Sequence, residues 1–105
     1  MNQEDSFGEM ARRNDIAQQL GLNVVLSSKA AELPDIEELL YTVRSLNRFT
    51  QKDDPYGWHD LGYFDWKGQR VLWKIDYFDE LLEHFEEPLS DKCKRVITVM
   101  LASEY

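Results

Sequence analysis

Residues 61–77 read LGYFDWKGQRVLWKIDY, and the fold turns on how that stretch pairs with itself. Lys67-Gly68 is a two-residue connection between two alternating, aromatic-rich runs, the pattern of a β-hairpin, although Asn-Gly is the commoner turn. With the turn there, Trp66 faces Gln69, Asp65 faces Arg70, Phe64 faces Val71 and Gly62 faces Trp73. One register then meets two demands. It sets an Asp65–Arg70 ion pair on one face and gathers Phe64, Val71, Trp73, Ile75 and Tyr77 on the other. Gly62 leaves space for the indole opposite it.

The flanking segments build a sheet and helices around this hairpin. Residues 95–103 begin RVITVMLA, apolar at alternating positions of both parities, as expected of a strand inside a sheet or covered on both faces. Residues 22–28 contain the short β-branched run NVVLSS and suit another strand. Residues 34–49 spell the clearest helix. Pro34 fits a first turn, Asp35, Glu37 and Glu38 complement the positive helix end, and Ile36, Leu39, Leu40, Val43 and Leu46 form one stripe that Phe49 closes. Residues 6–20 read as a first helix, with a Ser6–Glu9 capping box, a weak apolar face of Phe7, Met10, Ala11, Ala17 and Leu20 interrupted at Arg13-Asn14, and Gly21 as its stop. In residues 78–86, Phe78, Leu81, Leu82 and Phe85 recur at helical spacing, which predicts a short helix before Pro88. The expected architecture is a small single α+β domain over residues 1–105. Its helices pack on a mostly antiparallel sheet of about four strands with the hairpin at its centre.

Composition narrows the function classes. The chain has 105 residues, 43% hydrophobic and 12% aromatic, too much apolar surface for a disordered segment. No apolar run approaches the ~18 residues that span a bilayer, and MNQEDSFGEM lacks the basic start and apolar core of a secretory signal. The single cysteine, Cys93, has no internal disulfide partner, which fits a reducing cytoplasm. The formal net charge of −8 opposes direct binding to nucleic acid and favours attraction to a basic protein surface. The plainer reading of that charge is solubility. The oligomeric state is not legible.

Three longer motifs carry a resemblance. DPYGWHDLGYFDW at 54–66, VLWKIDYFD at 71–79 and RVITVMLASEY at 95–105 resemble a family of small bacterial proteins, the domain-of-unknown-function family 3768. Its pattern runs Asp-Pro-Tyr-Gly-Glu-His-Asp-Phe-Gly, then Trp-Lys-Ile-Asp-Tyr-Tyr-Asp, then Val-Leu-Thr-Ile-Met-Leu-Ala and a terminal Glu-Tyr. The resemblance covers most of residues 22–105 and implies no catalytic assignment. It does imply residence on plasmids and other mobile elements, hence a role in conflict or transfer. Two departures stand out: Trp58 replaces a glutamate, and FDELLEHFEE replaces a looser Pro- and Asp-rich loop.

Several constellations invite chemistry. Asp54, His59, Asp60, Asp76 and Asp79 have the composition of an acid–base or hard-metal site, and an enzyme would centre on His59, Asp60 and Asp76, with or without metal assistance. One histidine among scattered aspartates falls short of a metal ligand set, so none is assigned. The structural alternative has Asp54 capping the Pro-Tyr-Gly turn while His59 and Asp60 bond backbone. Cys93 lies among Lys92, Lys94 and Arg95, yet lacks an evident base and reads as incidental. No nucleophile elbow or phosphate loop is present, and no cofactor is expected. Trp73 and Tyr77 read as core, Trp58 and Tyr63 as partly exposed anchors. The acids fall in three groups: Asp76, Asp79, Glu80, Glu83, Glu86, Glu87 and Asp91; Glu32, Asp35, Glu37 and Glu38; and Asp53, Asp54 and Asp60. They are either solvated surface or, where two groups share a face, an imitation of a phosphate row.

The leading expectation is a non-enzymatic inhibitor or nucleic-acid-mimicking decoy of a nucleic-acid-handling protein complex, of anti-CRISPR or anti-restriction type. Its contact residues would be Trp58, Tyr63, Asp79, Glu80, Glu83, Glu86 and Glu87, and its partner a basic protein surface, with no direct contact to nucleic acid or membrane. A toxin immunity protein and the His59-centred enzyme are the alternatives.

Overall fold

The computed structural model describes residues 3–105, with side chains from Gly8 onward. In chain order it has α1 (Gln3–Leu20), β1 (Val24–Leu26), a 3-10 turn (Ala30–Glu32), α2 (Ile36–Ser45), β2 (Leu61–Trp66), β3 (Gln69–Phe78), β4 (Lys94–Leu101) and a last 3-10 turn (Ala102–Glu104). The four strands form one sheet in the order β1-β4-β3-β2. β2, β3 and β4 pair antiparallel, and β1 joins β4 in parallel. The α+β architecture thus holds, with the hairpin filling one half of the sheet and β2 at its edge.

The hairpin adopts the register its sequence dictates. Gly62 pairs with Trp73, Phe64 with Val71, Asp65 with Arg70 and Trp66 with Gln69. Lys67 and Gly68 both take positive φ, 49° and 86°, which gives the turn the right-handed twist of its strands. Arg70 Nη1 lies 3.3 Å from Asp65 Oδ1 on the solvent side. Val71, Trp73 and Ile75 point into a core shared with Phe64, Ile97, Val99, Leu39 and Val43. β4 lies between β1 and β3, with Ile97 and Val99 buried in the core and Val96 and Met100 half-buried at the other parity.

The helices depart from expectation in instructive ways. α1 starts upstream of Ser6, so Ser6 is not its cap, and Glu9 bonds Arg12 and Arg13 instead of reaching back. Those two guanidinium groups, Arg12 first, hold the Glu9 carboxyl down to about 2. The side chains of Ser6 and Phe7 lie outside the described residues. The buried stripe of α1 is Met10, Asn14, Ala17 and Gln18, while Leu20 is exposed. Gln18 Nε2 donates to the carbonyls of Val43 and Leu46, both at 2.6 Å, and so satisfies two acceptors left open at the end of α2. Gly21 ends α1 as expected, at φ 63° with its N–H bonded to Ala17 and Gln18. α2 begins after Pro34, with Asp35 at φ 57° as its N-cap, and stops at Ser45.

The predicted helix over 78–86 does not form. Phe78 ends β3, and residues 79–93 make turns and bends, with Phe85 bridging back to Phe78. Two helical turns cannot repay their own nucleation without a surface to bury against. Asp79 instead uses its carboxylate on the N–H groups of Leu81 and Glu83, both at 3.1 Å, and Leu82 takes φ 59°.

Candidate functional site: the loop end of the sheet

Two loops meet where β3 ends, and one side chain on α1 joins them. Asn14, fully buried, donates from Nδ2 to the Trp58 carbonyl at 2.9 Å and to the Tyr77 hydroxyl at 3.0 Å. Its Oδ1 accepts from Arg95 Nε at 2.6 Å. The Tyr77 hydroxyl donates to Asp60 Oδ2 at 3.0 Å. Arg95 also donates to the Pro88 carbonyl at 2.9 Å, and its guanidinium lies 5.2 Å from the centroid of the Tyr77 ring. The chain therefore ties loop 54–60, loop 79–93, α1, β3 and β4 together through one polar network. Every member is satisfied, the condition under which such networks rigidify a fold.

Within loop 54–60, Asp54 takes its expected structural role. Its buried carboxylate accepts the N–H of Trp58 at 3.0 Å and of His59 at 3.2 Å. His59 is held at φ 59°, a conformation that costs a non-glycine residue about 1 kcal/mol or more. Its ring stacks on Phe49 with centroids 4.1 Å apart. Nδ1 lies 2.9 Å from Asp15 Oδ1 and Nε2 lies 3.9 Å from Asp54 Oδ2. The ring is thus hydrogen-bonded to Asp15 through Nδ1, while Asp54 lies beyond hydrogen-bond reach of Nε2.

His59, Asp60 and Asp76 do not converge on one centre. His59 engages Asp15 and Asp54, Asp60 engages Tyr77, and Asp76 pairs with Lys74 on the sheet face turned away from the core. Among the described residues, no group of three or more His, Cys, Asp or Glu is arranged to hold a metal ion. Burial pushes the Cys93 thiol up, against the low value a nucleophile needs.

Burial also dominates at Asp60, where it pushes the carboxyl above the ordinary aspartate value. The Tyr77 hydrogen bond opposes this, and the charges of Asp54 and Asp76 reinforce it. Burial, then the Asp60 charge, pushes Tyr77 well up. Since the folded value at Asp60 exceeds the unfolded one, its stabilising contribution is present when the group is protonated. That contribution fades as pH rises through the elevated value. Asp60→Asn keeps an acceptor for Tyr77 and cannot ionise. Urea midpoints should therefore show the variant gaining on the native protein as pH rises from the ordinary aspartate value towards neutrality. A difference that stays flat over that range means the carboxylate is solvated.

Loop 79–93 is the acidic element. Leu81 is 74% exposed, Phe85 66% and Leu82 48%, with Glu80, Glu83, Glu87 and Asp91 exposed among them. The base of the loop is fastened by the N–H of Asp79 on the His84 carbonyl and by Arg95 on Pro88. Backbone donors, Glu83 first, hold the Asp79 carboxyl below its usual range. Trp58 and Tyr63 are each half-buried, with Trp58 against Tyr56 and Tyr63 under Arg70. The exposed apolar surface of this loop is Leu81, Leu82 and Phe85, and Tyr56 is exposed on loop 54–60. Two acid groups, 53–60 and 76–91, lie at the loop end. The third, 32–38, lies beside the hairpin turn, where Lys67 Nζ is 3.4 Å from Asp35 Oδ2 and Trp66 Nε1 donates to the Pro34 carbonyl.

Asp15, Asn14 and Arg95 are the site residues that sequence reasoning missed, since their partners lie 44 to 81 positions away. Residues 21–104 match the family model described as "Protein of unknown function (DUF3768)", and the chain belongs to that family. No curated protein and no solved structure matches the chain. The match spans all four strands and both loops and leaves α1, with Asn14 and Asp15, outside it. Among the described residues, no helix is long and apolar enough to cross a membrane.

Proposed function

We propose that the protein is a non-enzymatic binding protein that docks through residues 79–91 on the basic surface of a nucleic-acid-handling protein complex. It acts there as an inhibitor or decoy of the anti-CRISPR or anti-restriction kind. The carrying observation is the exposure of Leu81, Leu82 and Phe85 among glutamates on a loop whose base is anchored to the sheet. Large apolar side chains left in water at one place mark interaction surfaces. A surrounding negative field speeds encounter with a basic partner and makes that encounter salt-sensitive. The net charge of −8 and the mobile-element setting implied by the family resemblance point the same way.

The test begins with affinity capture from a bacterial lysate at low and high salt, with the tagged protein as bait. Recovery of a basic, nucleic-acid-binding complex at low salt and its loss at high salt supports the reading. Changing Glu80, Glu83, Glu86 and Glu87 to glutamine should leave stability nearly unchanged, slow association with that complex at least tenfold, and flatten its salt dependence. Association that keeps its rate and its salt response in this variant sinks the reading. Recovery of a single toxin enzyme instead assigns the protein to the immunity class.

The strained His59 backbone and its two carboxylate neighbours favour a second reading, an enzyme using His59 as acid or base. His59→Ala separates the two: a docking protein keeps its partner, whereas an enzyme loses its activity in the host.

A further inference from the structure

We infer that the open edge of β2 receives the β2 strand of a second copy of this chain, antiparallel and centred on Tyr63, so that the two sheets continue into one. β2 is the outer strand of the sheet and pairs on one side only, with β3. The Ile75 N–H donates to the Asp60 carbonyl at 2.9 Å, which fixes the alternation of the antiparallel ladder. Gly62, Phe64 and Trp66 therefore turn their backbone groups inward to β3, while Leu61, Tyr63 and Asp65 turn theirs outward. Among the described residues, nothing bonds those outward N–H and C=O groups. Backbone groups with no partner in their own chain must meet water or another molecule. Natural sheets protect such edges with proline, lysine, a bulge or a very short strand. β1, the other edge, spans only three residues. β2 spans six, its register with β3 runs unbroken, and it contains neither proline nor lysine. Its one charge, Asp65, is already held by Arg70.

A second copy fits this edge because β2 is complementary to itself. With Tyr63 opposite Tyr63 of the second copy, Leu61 lies opposite Asp65, and every outward N–H and C=O on either strand finds a partner. Moving the centre to Gly62 or Phe64 leaves an outward residue of each strand facing a loop or a turn. The side-chain rows on the solvent face match as well. At the centre, Leu72 and Tyr63 meet Tyr63 and Leu72 of the second copy. Beside them, Asp65 comes into line with Leu61 and Lys74 of the second copy, so the charges that share a row are opposite. A basic segment of another protein would find along β2 only the Asp65 carboxylate, which Arg70 already engages. Such a contact is isologous, the commonest form of homo-oligomer. It is also small, which makes the dimer weak and dependent on concentration. The formal charge of −8 on each copy opposes approach, so added salt should tighten the dimer. Docking of loop 79–91 on a basic partner responds to salt in the opposite sense, and neither reading depends on the other.

Two cysteine variants read the register, both in a Cys93→Ser background. Tyr63→Cys sets two thiols at directly opposed positions with Cα atoms about 5.5 Å apart, within the span of a disulfide. Asp65→Cys faces a leucine. With oxidised glutathione as the oxidant, Tyr63→Cys should form a covalent dimer at least tenfold faster than Asp65→Cys. Sedimentation equilibrium of the native chain should show its mass rising from monomer towards dimer with concentration, and rising further with salt. Tyr63→Pro deletes one outward N–H and leaves the ladder to β3 intact, so it should stay monomeric while its urea midpoint changes little. A native chain that is monomeric at every concentration, equal cross-linking at the two positions, or a dimer that salt loosens each overturns the inference. A dimer that survives Tyr63→Pro does so too, and assigns the contact to another surface. Should Tyr63→Pro fail to fold, the two cysteine variants decide alone.

Discussion

Trp73→Ala should lower the unfolding free energy by about 3–5 kcal/mol, and Gly62→Ala, which adds one methyl opposite the same ring, by about 2–3 kcal/mol. Trp73 is the largest fully buried side chain, and Phe49 meets it edge-on with centroids 6.0 Å apart. Removing the indole empties the centre of the sheet–helix interface, where α2 and the strands hold each other in place. A Cβ on Gly62 would lie 2.6 Å from Trp73 Nε1, 2.7 Å from Cε2 and 2.9 Å from Cζ2. The ring cannot retreat, because Val71, Ile75, Ile97 and Val99 close the core around it. Either substitution consumes a large share of the 5–15 kcal/mol typical of a domain this size. The pair also allows a cycle. Trp73→Phe deletes the atoms that the new methyl would strike. It forfeits no hydrogen bond, since the indole nitrogen has no partner among the described residues. Gly62→Ala should therefore cost about 1 kcal/mol less in the Trp73→Phe background than in the native one, a coupling within the range seen for contacting residues. Urea unfolding of the four proteins reads this directly. Additive costs would mean that Gly62 and Trp73 do not face each other.

That pairing was legible because everything specifying it lies within a few residues of the turn. Glycine opposite tryptophan and aspartate opposite arginine agree with one register, and a one-residue slip would send every apolar side chain to the wrong face. The parallel β1–β4 pairing had no such signal. β1 spans three residues, and its partner lies across most of the chain, so only the closed fold selects it. The segment 78–86 has true helical spacing, yet its leucines and Phe85 point to water. Spacing predicts a helix only where a surface waits to be covered, and here the Asp79 carboxylate takes the first amides instead. Its acidity was read correctly from composition, while its three apolar side chains were misread as a helix face. On α1 the error ran the other way. Arg13-Asn14 looked like an interruption of an apolar stripe, whereas Asn14, with Gln18, is one of its buried members. Met10, Asn14, Ala17 and Gln18 do share one helical face, so the spacing held the information. Polarity hid it, because the groups these amides satisfy come from distant segments.

Asn14→Leu is expected to cost about 3–4 kcal/mol although it keeps the number and branching of heavy atoms, because its cost is chiefly unpaired polar groups and not an empty space. The Trp58 carbonyl loses a donor, and the half-buried Arg95 guanidinium loses an acceptor at 2.6 Å. An orphaned neutral group costs about 1–3 kcal/mol and a charged one more. Tyr77 fares better, since it keeps Asp60, and Arg95 keeps Pro88 and the Tyr77 ring. The loss should also be uneven. Asn14 fastens loop 54–60 directly and loop 79–93 through Arg95, while the hairpin register depends on neither. Amide exchange should thus quicken first in those two loops, with β3 amides near Trp73 protected until global unfolding. A loop no longer held in one shape must be ordered again on docking. Partner affinity should therefore fall severalfold, although Asn14 is buried and touches no partner. Uniform acceleration of exchange would mean that Asn14 is ordinary core. A cost below about 1 kcal/mol would mean that water replaces its three hydrogen bonds and that the two loops are positioned independently.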